Sequence, residues 1–215
     1  MSEAAVTDSL ADARHAAELA RPLARFELLL NAAVGFTWGP LLFYFFRHVV
    51  EWAHPVSLLV TLGLIVAAAL IGVAAPAGYF RPRAWERADA GGVYVRYFGI
   101  RAFKAWMSHG DRMNAWIRRR IPRYRVVRPT PAAAAAYAVR TVGIERAHLA
   151  WGLAALPPLV YALAAGAYGF AVLWFIANAV TNAWPMLLQR YNRVRAERVA
   201  ARAPNPGFQG TYGRA

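Results

Sequence analysis

Residues 149–189 read LAWGLAALPPLVYALAAGAYGFAVLWFIANAVTNAWPMLLQ, and this stretch decides the fold. Its 41 residues include no Asp, Glu, Lys or Arg. A helix needs about 20 apolar residues to cross a bilayer, so the stretch is long enough for two spans in tandem. The natural turn between them is Gly166-Ala167-Tyr168-Gly169. The stretch therefore predicts a pair of membrane-spanning helices, which the basic string RYNR follows directly.

Two further apolar runs lie earlier in the chain, at residues 28–46 and 56–80. Hydrophobic residues make up 59% of the 215, and they cluster in these long runs rather than spreading as in a globular core. The sequence thus predicts an all-α membrane protein with four transmembrane helices. Its segments are an N-terminal segment 1–27, a first transmembrane pair 28–80, a basic segment 81–147, a second pair 148–193, and a basic, disordered tail 194–215.

The distribution of charge predicts the orientation. The net charge is +14, and the middle segment 81–147 alone holds 15 basic residues against 4 acidic ones. The connections 47–55 and 166–169 carry no net charge. The positive-inside rule then predicts a multi-pass protein of the cell membrane with both termini and the middle segment in the cytoplasm. A basic excess also suits nucleic acid, but its placement beside apolar spans favours an anionic membrane surface. With no Cys, disulfide and thiolate chemistry are excluded.

The middle segment predicts two amphipathic helices, 93–107 and 111–121, between the two transmembrane pairs. The first has an apolar stripe of Val93, Tyr97, Ile100, Phe103 and Met107. Such helices lie in the headgroup plane with the apolar face towards the acyl chains. The alternative is a pair of solvated helices packed on a cytosolic domain.

A row of amides runs down the last predicted span and past its end: Asn178, Asn182, Gln189 and Asn192. Steps of four, seven and three place them on one face of a helix. Lipid offers an amide no hydrogen-bond partner, so the row should face protein or a water-filled cavity. It predicts a polar cleft, while bonding between amides of neighbouring helices is the alternative.

Glu145 and His148 lie three residues apart, at the predicted cytoplasmic end of the third span. A His beside a carboxylate can act as a general base near neutral pH, with the Glu fixing its tautomer. In the alternative reading, Glu145 pairs with Arg140 or Arg146. One Glu-x-x-His supplies only two ligands, so no metal site is predicted.

The second transmembrane pair ends in Arg190, Arg193 and Arg195. An Arg can hold a phosphate through two parallel hydrogen bonds. Arginines that follow a span also act as topology signals and as anchors to lipid phosphates, so both interpretations stay open.

Three strings in residues 79–195 carry a resemblance. The first is Asn182, Pro185 and then Gln189-Arg190-Tyr191-Asn192-Arg193-x-Arg195. The second is Glu145-x-x-His148, ahead of a span with Leu156-Pro157. The third is Trp85-Glu86, Gly92, Tyr94, Ile100-Arg101-x-Phe103-Lys104 and Gly110. Together they resemble the glycosyl-4,4'-diaponeurosporenoate acyltransferase family, which acylates staphyloxanthin-type carotenoid glycosides.

The resemblance implies an acyltransferase that moves a fatty acyl group to a sugar hydroxyl of a membrane glycoside, with a glycosylated carotenoid as acceptor. An acyl-CoA or acyl-carrier thioester would be the co-substrate, with no other cofactor and no nucleic acid. We predict His148 and Glu145 as catalytic residues. The predicted substrate-binding residues are Asn178, Asn182, Gln189, Arg190, Tyr191, Asn192, Arg193, Arg195, Glu86, Tyr94 and Lys104. The alternatives are acylation of another membrane glycolipid, and a non-enzymatic assembly or scaffold protein.

Overall fold

The computed structural model describes residues 3–49, 55–107, 110–120, 122, 126–127 and 130–202. These residues are almost entirely helical and include no strand. The α-helices are α1 (Glu3–Tyr44), α2 (Pro55–Val73), α3 (Ala84–Ala88), α4 (Gly92–Phe98), α5 (Ile100–Trp106), α6 (Asp111–Arg120), α7 (Pro131–Ala154), α8 (Leu156–Ala164), α9 (Tyr168–Asn178) and α10 (Trp184–Ala200). A π-helical turn, Phe45–Val49, continues α1, and a second, Ala179–Ala183, joins α9 to α10. A 3-10 turn, Ala77–Phe80, follows α2.

Four helical stretches among the described residues are long and apolar enough to cross a membrane: Ala24–His48, Val56–Val73, Pro131–Ala164 and Tyr168–Ala200. Large apolar side chains cover their outer surfaces; Phe36, for example, is 81% exposed. Soluble monomers rarely expose apolar patches of this extent, whereas a bilayer covers them. The prediction of an all-α protein with four membrane-spanning helices is therefore confirmed.

The third span bends at Ala155, where α7 ends and α8 begins. The cause is local, because Pro157 and Pro158 occupy the first turn of α8 and have no backbone N–H for the preceding carbonyls. At the bend itself, the carbonyl of Ala155 accepts a 2.8 Å hydrogen bond from the Trp174 indole. The bend is therefore fixed by a side chain of the neighbouring span.

The fourth span contains the π-helical turn Ala179–Ala183, directly before Pro185. In an α-helix the N–H of residue 185 would bond to the carbonyl of Thr181, but proline has no N–H and its ring clashes with that carbonyl. The wider turn relieves the clash. It also sets the direction of Thr181 and Asn182, which lie inside it.

Helix α7 is central, because it packs against both α2 and α10. The crossing with α2 is very close: a Cβ on Gly72 would lie 2.5 Å from the Cα of Ala150, so only glycine fits there. Helix α1 attaches through Trp38, whose indole donates to Thr181 Oγ1 at 3.1 Å and meets Trp174 edge-on. The first span thus closes one side of the bundle formed by the other three.

The predicted single helix over 93–107 is wrong. The chain breaks at Gly99, whose φ of 60° is accessible to glycine but costly for other residues, and α4 and α5 leave it in different directions. The predicted apolar stripe is split as a result. Tyr97 is 75% exposed, while Ile100 is buried with Tyr94 against Leu188 and Tyr191.

The second predicted amphipathic helix is present as α6, Asp111–Arg120. Its predicted last residue, Ile121, lies outside the described residues. At the C-terminus, α10 continues to Ala200, past the predicted end of the span at residue 193. Most of the predicted disordered tail, residues 203–215, is also outside the described part.

Candidate active site

A cavity of about 1340 Å³ runs through the molecule between the first span and the last two. One wall is α1, the opposite walls are α7 and the π-turn with α10, and helices α5 and α6 border one end. The lining includes Trp38, Leu42, Lys104, Asn114, Arg118, Arg140, His148, Trp151, Ala154, Asn182, Gln189, Asn192 and Arg195. A cavity lined in part by polar and charged side chains therefore exists inside an otherwise apolar bundle.

The structure brings seven of the predicted site residues to this cavity: Lys104, His148, Asn182, Gln189, Tyr191, Asn192 and Arg195. The other six do not line it: Glu86, Tyr94, Glu145, Asn178, Arg190 and Arg193. The members that α10 carries lie on different faces of that helix. Residues 189, 192 and 195 face the cavity. Residues 190 and 193 instead face Glu145, on the side of α7 that is turned away from the cavity.

A chain of hydrogen bonds fixes the orientation of His148. Asn178 Nδ2 donates to the carbonyl of Gly152 at 3.2 Å, and Asn178 Oδ1 accepts from Asn182 Nδ2 at 2.8 Å. Because the nitrogen of Asn182 already donates to Asn178, its oxygen is the atom that lies 3.4 Å from His148 Nδ1. Because that oxygen can only accept, Nδ1 carries the proton and Nε2 is left as an acceptor. The geometry therefore favours the tautomer that a general base needs.

Glu145 does not orient His148, contrary to the predicted arrangement. Its carboxylate is fully buried and bonds to Arg190 Nε at 2.6 Å and to Arg193 Nη2. The reason is tertiary, because α10 presents two guanidinium groups to this face of α7. The alternative partners Arg140 and Arg146 are not the ones found, and Arg146 instead donates to the carbonyl of Val73.

A second carboxylate completes this buried cluster. Glu86 is fully buried and accepts from the Tyr94 hydroxyl and from the backbone N–H of Arg83, with Arg190 Nη1 at 3.7 Å. Burial, followed by the bond to Glu86, raises the pKa of the Tyr94 phenol, so it remains a protonated donor. Two carboxylates and two guanidinium groups, those of Glu86, Glu145, Arg190 and Arg193, thus balance in charge beside the cavity.

The end of the cavity bordered by α5 and α6 is basic. Its described lining holds the basic side chains Lys104, Arg118, Arg140 and Arg195 and the acid Asp111, which pairs with Lys104 at 2.9 Å. Arg118, Arg140 and Arg195 are exposed. We call these four basic side chains the basic rim. It is suited to an anion that arrives from water.

Two amides on α10 are directed at the cavity with no described partner of their own. Gln189 and Asn192 both line it and are half-buried. None of the described side chains bonds to either amide, which leaves their N–H groups to a ligand.

Residues 76–202, more than half of the chain, match the family described as glycosyl-4,4'-diaponeurosporenoate acyltransferase. The chain belongs to this family. All thirteen predicted site residues lie inside the matched range, as do α7, α10 and the basic rim. The predicted family is thereby confirmed. No curated protein and no solved structure matches the chain.

Membership in the glycosyl-4,4'-diaponeurosporenoate acyltransferase family implies an acyltransferase, and the four apolar helices place it in a membrane. The match begins at residue 76 and so excludes the first two spans. Yet α1 supplies one wall of the cavity, including Trp38 and Leu42. This part of the site therefore lies outside the region that the family description covers.

Sequence reasoning missed two members of the basic rim, Arg118 and Arg140. For Arg140 a signal was present, because it precedes His148 by eight residues and therefore shares its helix face. For Arg118 there was none, since only the way α6 packs over the bundle brings it to the cavity. The contribution of Trp38 likewise depends on a contact 143 residues away, with Thr181.

Proposed function

We propose that the protein transfers a fatty acyl group from a thioester to a sugar hydroxyl of a membrane glycoside, with a glycosylated carotenoid as the first acceptor to test. The observation that carries this is His148, whose Nδ1 lies 3.4 Å from the oxygen of Asn182, inside a cavity with a basic rim between the membrane-spanning helices. The family description supplies the class of reaction.

The chemistry needs one base and one oxyanion site. As His148 Nε2 takes the proton of the sugar hydroxyl, the hydroxyl oxygen forms a bond to the thioester carbonyl carbon. The tetrahedral oxyanion is stabilised by the amide N–H groups of Gln189 and Asn192. When it collapses, the C–S bond breaks and the imidazolium returns the proton to the leaving sulfur. The products are an ester and a thiol, with no covalent acyl-enzyme.

The basic rim provides a binding site for the phosphate groups of the acyl thioester donor. Acyl-CoA and acyl-carrier thioesters both bear phosphate groups, and Arg and Lys bind phosphate through charge-assisted hydrogen bonds. Arg140 and Arg195 lie on α7 and α10, the two helices that also carry His148 and Gln189. A donor whose phosphates bind at the rim can therefore extend its thioester towards His148. By the positive-inside rule this end faces the cytoplasm, where such donors occur.

The acceptor can enter sideways from the bilayer. Trp151 lies one turn beyond His148, lines the cavity and is 69% exposed, so one side chain separates the cavity from lipid at this level. A glycoside anchored in the membrane could thus bring its sugar to His148 without leaving the acyl-chain region.

We assign Glu86, Glu145, Arg190 and Arg193 a supporting role. Their charged groups bond to one another and hold α10 against α7 and the segment that follows α2. Arg190 also donates to the carbonyl of Tyr79 at 3.0 Å. The cluster fixes the spacing between the helix that carries His148 and the helix that carries Gln189, without contact with the substrate.

The test of the reaction uses the full-length protein in lipid nanodiscs. It is incubated with a long-chain acyl-CoA and glycosyl-4,4'-diaponeurosporenoate, and the lipids are analysed by mass spectrometry. We expect a new ester, together with an equal amount of free CoA thiol. If only a different glycolipid is acylated, the carotenoid acceptor is wrong. If folded protein acylates neither class from CoA or carrier donors, the proposal fails and the scaffold alternative stands.

Removal of charge from the basic rim should weaken donor binding. We expect Arg140→Gln and Arg195→Gln each to raise the KM for the acyl thioester about tenfold, because a charge-assisted hydrogen bond contributes about 1.5–3 kcal/mol. The kcat should change little. The matched control is Arg96→Gln, which removes an exposed arginine that pairs with Asp89 and does not line the cavity. Equal KM values for rim and control variants would assign these arginines to topology alone.

A further inference from the structure

The cavity continues past His148, away from the basic rim, and its character changes there. The lining beyond this level is apolar and includes Trp38, Leu42, Ile65, Ala154 and Pro158. His148 and Pro158 are ten residues apart, which corresponds to about 15 Å at a helical rise of 1.5 Å per residue. We call this part the deep end of the cavity.

A packed aromatic cluster, which we call the aromatic floor, adjoins the deep end and contributes Trp38 and Trp174 to its lining. Phe45, Phe170 and Trp174 are buried together there with Ala155, and Trp38 packs against them. Two indole hydrogen bonds hold the floor in place, from Trp174 to the Ala155 carbonyl and from Trp38 to Thr181. The aromatic side chains that line the cavity here are therefore ones that cannot readily move.

The shape of the deep end favours a flexible occupant. The wall bends at Ala155, between α7 and α8, so a ligand that reaches Pro158 from His148 has to follow the bend. A saturated acyl chain can do so, whereas a conjugated polyene is stiff. The polyene can also stay in the bilayer, which adjoins the cavity at the exposed Trp151.

On the basis of the function proposed above, we propose that the deep end binds the fatty acyl chain of the donor and that its aromatic floor limits the chain length accepted. The thioester lies at His148, the phosphates lie at the basic rim, and the acyl chain extends to Trp38 and Trp174. Burial of each further methylene in an apolar site contributes about 0.8 kcal/mol, so affinity rises with chain length until the floor is reached.

The test narrows the deep end by mutation and measures how kcat/KM depends on the length of the donor's acyl chain. Ala154 is buried and lines the deep end, so Ala154→Phe places a ring in the space of the chain. With acyl-CoA donors of roughly 8 to 18 carbons, whose lengths bracket the depth of about 15 Å estimated from helical rise, we expect kcat/KM for the longest donors to fall at least tenfold. The value for the shortest should remain within about twofold of wild type. The control Ala136→Phe makes the same substitution on α7 at an exposed position that does not line the cavity.

A second variant acts in the opposite direction. Leu42→Ala removes apolar volume from the deep end at a partly exposed position, so it should fold, and the longest donor accepted should become longer. If wild-type protein transfers acyl groups but neither variant changes the profile, this inference is wrong while the proposed function stands. Equal loss with all donors in Ala154→Phe, but altered preference among acceptors, would assign the deep end to the acceptor and also overturn it. If wild-type protein transfers no acyl group, the proposed function itself fails.

Discussion

Replacement of His148 with alanine is expected to reduce the rate of acyl transfer by about 10²–10⁴-fold, the range that a positioned general base contributes. His148 is the titratable side chain that lies at the middle of the cavity and has a hydrogen bond to fix its tautomer. The side chain is half-buried and faces the cavity, so its removal should leave the fold intact. The measurement is the initial rate of ester formation in nanodiscs at saturating donor, with the melting temperature recorded for the same preparation.

The neighbouring amides provide the control for this prediction. Asn182→Leu removes the acceptor from His148 Nδ1 but keeps the imidazole, so we expect a smaller loss, about 10–100-fold, by analogy with groups that orient a metal-binding His. Added imidazole should restore part of the activity of His148→Ala and none of that of Asn182→Leu. Near-normal turnover by His148→Ala would remove the residue from the mechanism.

Helical periodicity and the placement of charge were enough to predict the membrane architecture. The uncharged runs marked all four spans, and the spacing of Asn182, Gln189 and Asn192 predicted that these amides share a polar face. These features depend on the local sequence alone. Prolines lie at the break at Ala155 and at the π-turn, but neither feature was predicted from the sequence.

Contacts between segments that are distant in the chain could not be predicted from the sequence. Glu145 and His148 share a helix face, but a buried carboxylate bonds to the strongest donors available, and α10 supplies two guanidinium groups. The partner left for His148 is Asn182, 34 residues away. The break at Gly99 was also missed, because an apolar stripe predicts a helix and does not reveal where a glycine will adopt a positive φ.

The buried cluster leads to the second large effect, which concerns stability. We expect Glu145→Gln to destabilise the protein by about 3–5 kcal/mol, because it leaves the fully buried guanidinium of Arg193 without its carboxylate. The matched control is Asp89→Asn, which weakens a mostly exposed pair with Arg96 at 2.7 Å and should cost at most about 1 kcal/mol. Both variants are compared by thermal unfolding and by the yield of monodisperse protein in detergent.

A double variant separates a charge effect from a catalytic one. Glu145→Gln with Arg193→Gln removes one charge of each sign and leaves Glu86 with Arg190, so the buried cluster is again neutral. It should therefore recover much of the stability that Glu145→Gln loses, since an uncompensated buried charge costs more than a missing pair. The recovered protein should also regain acyl transfer, because His148 and Asn182 are intact and the spacing between α7 and α10 is restored. A Glu145→Gln protein as stable as wild type but inactive would instead mean that the carboxylate acts in the reaction, as its position beside His148 in the sequence first predicted.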